Sequence, residues 1–262
     1  MPFFEYDKSR IHYVDIDKRE NKSVGLPLLF IHGAGSYHFS WALQLEVFSK
    51  TNRCIAIDLS GHGKSDGNGE ASIEHGYAYE VAALVDYLDL QDFIVVGHSM
   101  GGGVAMSYVL NSEFRSPKAL VLVDSSPDLN LAKVVPGLII EVVEEIRRAD
   151  HPAFDQYAEK LNMKQYERSM RYLDPTAMQR DLQACNKFDV SDRMKEISIP
   201  IFALVGEDDN IITPAIAKNY VQNIHHADLA VVRGANHVPM IEQPEEFNRL
   251  FLKFITWVQN NV

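Results

Sequence analysis

The sequence predicts an α/β fold: a mostly parallel sheet of roughly eight strands flanked by helices, with a helical cap inserted late in the chain. Three observations carry that expectation. Short apolar runs rich in β-branched or aromatic residues recur along the chain, each followed by a turn and then a helical pattern. The runs are continuously apolar rather than alternating, which suits strands covered by helices on both faces. The interval from Asp124 to Ile197 holds no strand-like run at all.

Phe3–Tyr6 and Arg10–Ile16, with Lys8-Ser9 as their turn, read as an antiparallel hairpin on the sheet edge. The buried runs follow at Leu28–Ile31, Cys54–Ile57, Phe93–Val96, Ala119–Val123, Ile201–Val205 and Leu229–Val232. The segments between most of them are long enough for crossover helices. Tyr77–Leu88 sets Val81, Leu84, Val85 and Leu88 on one helical face. Pro244 opens a closing helix with Phe247, Leu250, Phe251, Phe254, Ile255 and Val258 at helical spacing; Glu245 and Glu246 in its first turn suit the helix dipole. Between Asp124 and Ile197, helical patterns are punctuated by Pro127, Pro136, Pro152 and Pro175. That is too much helix for one crossover. It predicts a core over residues 1–125 and 190–262 and a helical cap over 126–189.

Composition bounds the function. The chain has 262 residues, 46% hydrophobic and 23% charged, which excludes collagen-like and largely disordered classes. A net charge of −11 without a basic run argues against nucleic acid and anionic membrane surfaces as partners. Cys54 and Cys185 belong to no metal or redox spacing and read as core thiols, so no metal is expected. The first residues lack the pattern of a signal peptide, and no apolar run approaches the roughly 18 residues of a membrane span. The expectation is a soluble cytoplasmic protein, with a homo-oligomer left open.

The most informative segment is Phe93–Ala105, in which a buried strand runs into Gly97-His98-Ser99-Met100-Gly101 and then a helix. A serine on so sharp a strand-to-helix turn needs small residues on either side so that strand and helix can approach. Its hydroxyl then stands above the sheet at a helix N-terminus, where developing negative charge is favoured. Ser99 is the expected nucleophile. Gly63-Lys64-Ser65 ends like a phosphate-binding loop but has Asp58 where the first glycine should stand, and Gly101-Gly-Gly103 lacks the last glycine of a dinucleotide fingerprint. No cofactor is expected.

On these residues the chain resembles the cap-bearing, esterase-like serine members of the α/β-hydrolase superfamily. Four further segments carry the resemblance: His32-Gly33-Ala34-Gly35 with Trp41 downstream, Asp58 to Ser65, Gly206 to Pro214, and Gly234 to Pro244. They look like the family's oxyanion loop after strand three, its turn after strand four, its acid loop after strand seven and its histidine loop after strand eight. The resemblance implies that His237 is the base for Ser99 and that Asp209 orients it, ahead of Asp208. Asp124 remains a candidate acid, with a turn carboxylate as its plainer role. Ala34 and Met100 would supply the backbone N–H groups of the oxyanion hole. His32 is expected to brace its loop, and His98 to pack sideways rather than act. His225-His226 reads as a surface pair. Met163, Tyr166, Met170 and Tyr172 either line a cap pocket or pack between cap helices.

The resulting reading is a cofactor-independent serine hydrolase of a small-to-medium carboxylic ester, working through an acyl-enzyme. A serine nucleophile is incompatible with the aspartate-based dehalogenases and epoxide hydrolases of the superfamily, and Met100 replaces the tryptophan of the proline iminopeptidase motif. Lactonase, thioesterase, perhydrolase and C–C bond hydrolase chemistry stay open, since the triad alone does not choose the scissile bond. A ligand-binding receptor on the same fold, a pseudo-hydrolase, is the alternative from another class.

Overall fold

The computed structural model describes residues 2–22, 24–67, 71–130 and 175–262. Eight strands form one sheet: β1 Phe3–Tyr6, β2 Ser9–Ile16, β3 Leu28–Ile31, β4 Cys54–Ile57, β5 Ile94–His98, β6 Ala119–Val123, β7 Ile201–Gly206 and β8 Ala227–Val232. Their spatial order is β1-β2-β4-β3-β5-β6-β7-β8. β1 and β2 are antiparallel, β2 is antiparallel to β4, and every other pairing is parallel. The helices used below are α1 Ala42–Phe48, α2 Ala78–Tyr87, α3 Met100–Leu110, α4 Pro175–Cys185, α5 Pro214–Val221, α6 Pro239–Glu242 and α7 Pro244–Asn261.

The first hairpin differs from expectation by one residue. Its turn is Asp7-Lys8, both with positive φ (45° and 64°), and Ser9 already pairs with Tyr6. Two consecutive left-handed residues make the tight turn whose twist matches the strands it joins. The strand runs otherwise stand where the sequence sets them, with ends shifted by one or two residues.

Continuous apolarity has the expected cause. In β3, Leu29 and Ile31 face one core while Leu28 and Phe30 face the other. The same alternation splits β6 into Leu120 and Leu122 against Ala119, Val121 and Val123. One face is covered by α2 through Val81, Leu84 and Val85 and by α3 through Val104 and Tyr108. The opposite face is covered by α1 through Leu45 and Phe48 and by α7 through Phe247, Phe251, Phe254, Ile255 and Val258. Both cysteines are free and buried, and burial pushes the Cys54 thiol up to about 12.

The strand order turns at β3: the chain steps outward to β4, then returns to lay β5 on the other side. The crevice at the carboxyl ends of β3 and β5 is therefore the topological switch point, where open α/β sheets bind their ligands. Of the expected cap 126–189, residues 131–174 lie outside the described residues, and so do Met163, Tyr166, Met170 and Tyr172. The described remainder includes α4.

Phe251 tests the second core. It is fully buried, with ring centroids 5.1 Å from Phe48 and 6.3 Å from Phe30. Phe251→Ala is expected to lower unfolding free energy by about 3–5 kcal/mol in urea titrations. A loss under about 1 kcal/mol would show that α7 is not an integral part of the core.

Candidate active site

The residues singled out in the sequence meet at the carboxyl edge of the sheet. Ser99 links β5 to α3 with φ 51° and ψ −119°, a conformation costly for a residue with a side chain. The surroundings hold it there. Its N–H donates to Val123 O (2.9 Å), and its carbonyl accepts from Gly102 N–H (2.9 Å) and the Ser125 hydroxyl (2.8 Å). The glycines are required by closeness rather than by flexibility. A Cβ on Gly97 would lie 2.1 Å from Gly101 O, and one on Gly101 would lie 2.4 Å from His32 O.

The Ser99 hydroxyl stands 3.1 Å from His237 Nε2, and His237 Nδ1–H donates to Asp209 Oδ2 at 2.8 Å. Asp209 follows β7 and His237 follows β8, so three separate crossovers converge. Asp209 Oδ1 also accepts from Ile211 N–H (2.7 Å) and Ile212 N–H (3.1 Å). Burial pushes the Asp209 carboxyl up, but the charge and hydrogen bond of His237 outweigh it and hold the group below the ordinary range. Asp208 is exposed, and its backbone N–H pairs with Ala235 O; the imidazole bonds to Asp209 instead. Asp124 lies buried behind Asp209 and accepts from Gly206 N–H (2.8 Å), as a turn carboxylate would.

His98 does pack sideways. Its Nε2–H donates to the His237 carbonyl at 2.7 Å, and burial lowers its pKa to about 3, so the ring is neutral. Glu242 of α6 accepts from the N–H of Asn236, the residue before His237. His98 thus holds the His237 backbone directly, and Glu242 holds the residue next to it. His32 braces its own loop: Nδ1–H donates to Gly33 O (2.8 Å), and Nε2 accepts from Leu59 N–H (3.1 Å). Burial lowers it to about 4, which keeps this neutral tautomer. Gly33 lies against Ser99, since a Cβ there would meet Ser99 Cβ at 3.3 Å, so the loop carrying Ala34 borders the serine. Met100 is the first residue of α3. His225 and His226 are exposed, between α5 and β8.

A buried polar layer went unseen in the sequence. Asp181 of α4 accepts from Gly35 N–H (2.8 Å), His62 Nε2–H (2.8 Å) and the Tyr77 hydroxyl (2.7 Å), with its side chain fully buried. It ties the helix before β7 to the loop carrying Ala34, across 146 residues of sequence from Gly35. No local pattern marks it, because an aspartate in a helix usually faces solvent. Asp58 receives His12 Nδ1–H and His38 Nδ1–H, each at 2.7 Å. Those ring nitrogens and carboxylate oxygens are spent on one another at hydrogen-bond spacing, not turned toward an ion. Glu80 accepts from the backbone N–H and hydroxyl of Ser60.

Both His62 ring nitrogens face acceptors, Asp181 Oδ2 and Ser60 O (3.1 Å), so the ring is an imidazolium. Burial alone would lower its pKa, but the hydrogen bond and charge of Asp181 raise it above the ordinary value. The pair's stabilisation is therefore fully present below about pH 6.5 and lost as pH rises through the native pKa. Asp181→Asn is expected to destabilise the protein by about 3 kcal/mol or more at about pH 6. Urea unfolding of both proteins should show that gap narrowing toward about pH 9. A gap that stays constant or widens would contradict the charged pair.

Known proteins resemble this chain along most of its length. A family model described as the alpha/beta hydrolase family matches residues 28–250. A non-heme chloroperoxidase of Streptomyces lividans is 30% identical over 273 residues, covering 95% of this chain and 97% of that protein. A bifunctional esterase/perhydrolase of Acinetobacter calcoaceticus is 27% identical, covering 92% and 96%. A solved structure of a thermophilic esterase superposes with a TM-score of 0.74 at 29% identity, covering 98% of this chain and 97% of that one. With the family model spanning most of the sheet and the serine turn, the chain belongs to the alpha/beta hydrolase family.

Proposed function

We propose that the protein is a cofactor-independent serine hydrolase of small-to-medium carboxylic esters. The observation that carries the reading is the continuous hydrogen-bonded chain from the Ser99 hydroxyl through His237 to Asp209, built on a backbone strained at Ser99. A neutral hydroxyl is a poor nucleophile without an adjacent base. His237 Nε2 takes the Ser99 proton as Oγ attacks the ester carbonyl. The Asp209 charge stabilises the imidazolium that forms. The N–H groups of Ala34 and Met100 receive the developing oxyanion, a contribution of roughly 10²–10³ in rate for each donor. His237 then protonates the departing alcohol, leaving Ser99 acylated. Water, deprotonated by His237, attacks the acyl carbon and releases the carboxylic acid and the free serine.

The names of an esterase/perhydrolase and a thermophilic esterase among the similar proteins support an ester as substrate. In the described part of the expected cap, Met178 packs over Gly35 of the Ala34 loop, where it would border the acyl group. Among the described residues no helix is long and apolar enough to cross a membrane. Two unpaired, buried thiols fit a reducing, cytoplasmic setting.

A second reading has a specific observation behind it: similar proteins are named chloroperoxidase and perhydrolase. Hydrogen peroxide would attack the acyl-enzyme in place of water, giving a peracid and the free serine.

Hydrolysis of p-nitrophenyl esters from short to long acyl chains tests the proposal. The wild type is expected to turn over the short esters, and Ser99→Ala to lose at least about ten-thousand-fold in kcat/KM. A folded wild type without turnover on any ester would sink the esterase reading in favour of other acyl or C–C substrates, or of a ligand-binding role.

A further inference from the structure

Asp124 closes β6 with φ 41°, a left-handed conformation that aspartate and asparagine tolerate better than most residues. Its side chain is buried. Oδ1 accepts from Gly206 N–H at 2.8 Å, whereas Oδ2 is buried and has no hydrogen-bond donor among the described residues. A carboxylate oxygen of Asp124, one of Asp209 and a ring nitrogen of His237 lie within 4.8 Å of one another.

Two buried carboxyls this close do not both ionise, so they share one proton. The donors decide where it sits. Asp209 receives three, from Ile211, Ile212 and His237, which together stabilise its charge. Asp124 receives one. A proton on Asp124 Oδ2 also supplies the missing partner for an atom that is otherwise stranded in the interior.

We propose that Asp124 is a positioning residue held as a neutral carboxylic acid, its Oδ2–H donating to the Asp209 carboxylate. This rests on Asp209 being the acid of the triad. The bond gives Asp209 a second side-chain partner besides His237. It also limits the cluster to one negative charge. The other ionisable groups facing Asp124 do not favour its ionisation: Glu242 of α6 adds negative potential, and Tyr220 of α5 donates its hydroxyl to Ser125 O (3.2 Å). Burial first, and then the Asp209 charge, raise the Asp124 carboxyl well above the ordinary range.

Asparagine reproduces the neutral acid, with an oxygen for Gly206 N–H and an N–H for Asp209, and it tolerates the backbone conformation. Glycine tolerates the backbone but supplies neither group. The first measurement is independent of turnover: infrared difference spectra of resting wild type and Asp124→Asn near neutral pH. The expected result is a protonated-carboxyl C=O band that disappears in the variant; absence of such a difference overturns the proposal, whether or not esters are substrates.

The second is the pH profile of kcat/KM. With Asp124 already neutral, Asp124→Asn changes no charge and leaves the acid limb in place. Asp124→Gly frees Asp209 of a donor, moves the limb to higher pH and lowers kcat/KM roughly tenfold or more. Were Asp124 ionised, Asp124→Asn would remove a negative charge beside His237 and shift the limb to lower pH, which also overturns the proposal. If no ester is turned over, the pH dependence of Ser99 labelling by a fluorophosphonate gives the same comparison.

Discussion

The backbone at Ser99 is the constraint on which the rest of the structure depends. A serine at φ 51° is unfavourable by about 1–3 kcal/mol on its own and persists only where its surroundings leave no alternative. Here β5 must end and α3 must begin within one residue, with Gly97 against Gly101 and Gly101 against the chain at Ile31 and His32. No side chain fits in either gap. That closeness brings the loop after β3 beside Ser99, so the turn that carries the serine also sets its neighbour. The strand order adds the remaining condition, because the crevice between β3 and β5 is the place the sheet leaves open.

Around this turn the protein uses buried polar groups instead of hydrophobic packing to hold loops in register. His98 reaches from the Ser99 turn to the carbonyl of His237, and His32 links the β3 loop to the β4 loop. Both rings are kept neutral by burial, so they act as fixed donors and acceptors rather than as charges. Asp181 is the contrasting case, an ionised group satisfied by three donors from three parts of the chain. A network of this kind is strong only when complete, since each buried group left unpaired is costly.

Much of this was legible in the sequence, for identifiable reasons. The strands are continuous apolar runs because both faces of the sheet are covered, and the runs stop at turns rich in glycine. Ser99, Asp209 and His237 sit at the ends of strands in the chain order of the fold, so order along the sequence carried their positions. The turn of the first hairpin was misplaced by one residue, because Asp7 and Lys8 are not the residues that advertise a left-handed pair. Asp181 was invisible: its partners lie 104 to 146 residues away, and a helical aspartate carries no sign of burial. Asp124 was readable as a turn carboxylate, but its closeness to Asp209 comes from the pairing of β6 with β7.

The proposed reaction depends on acylation of Ser99 during turnover. Peptide mass spectrometry after rapid acid quench of the enzyme mixed with excess p-nitrophenyl acetate reads that step. The expected result is an acetyl group on the peptide containing Ser99 and on no other, with stoichiometry approaching one if deacylation is the slower step. Turnover accompanied by acetylation of a different residue, with Ser99 left unmodified, would contradict it.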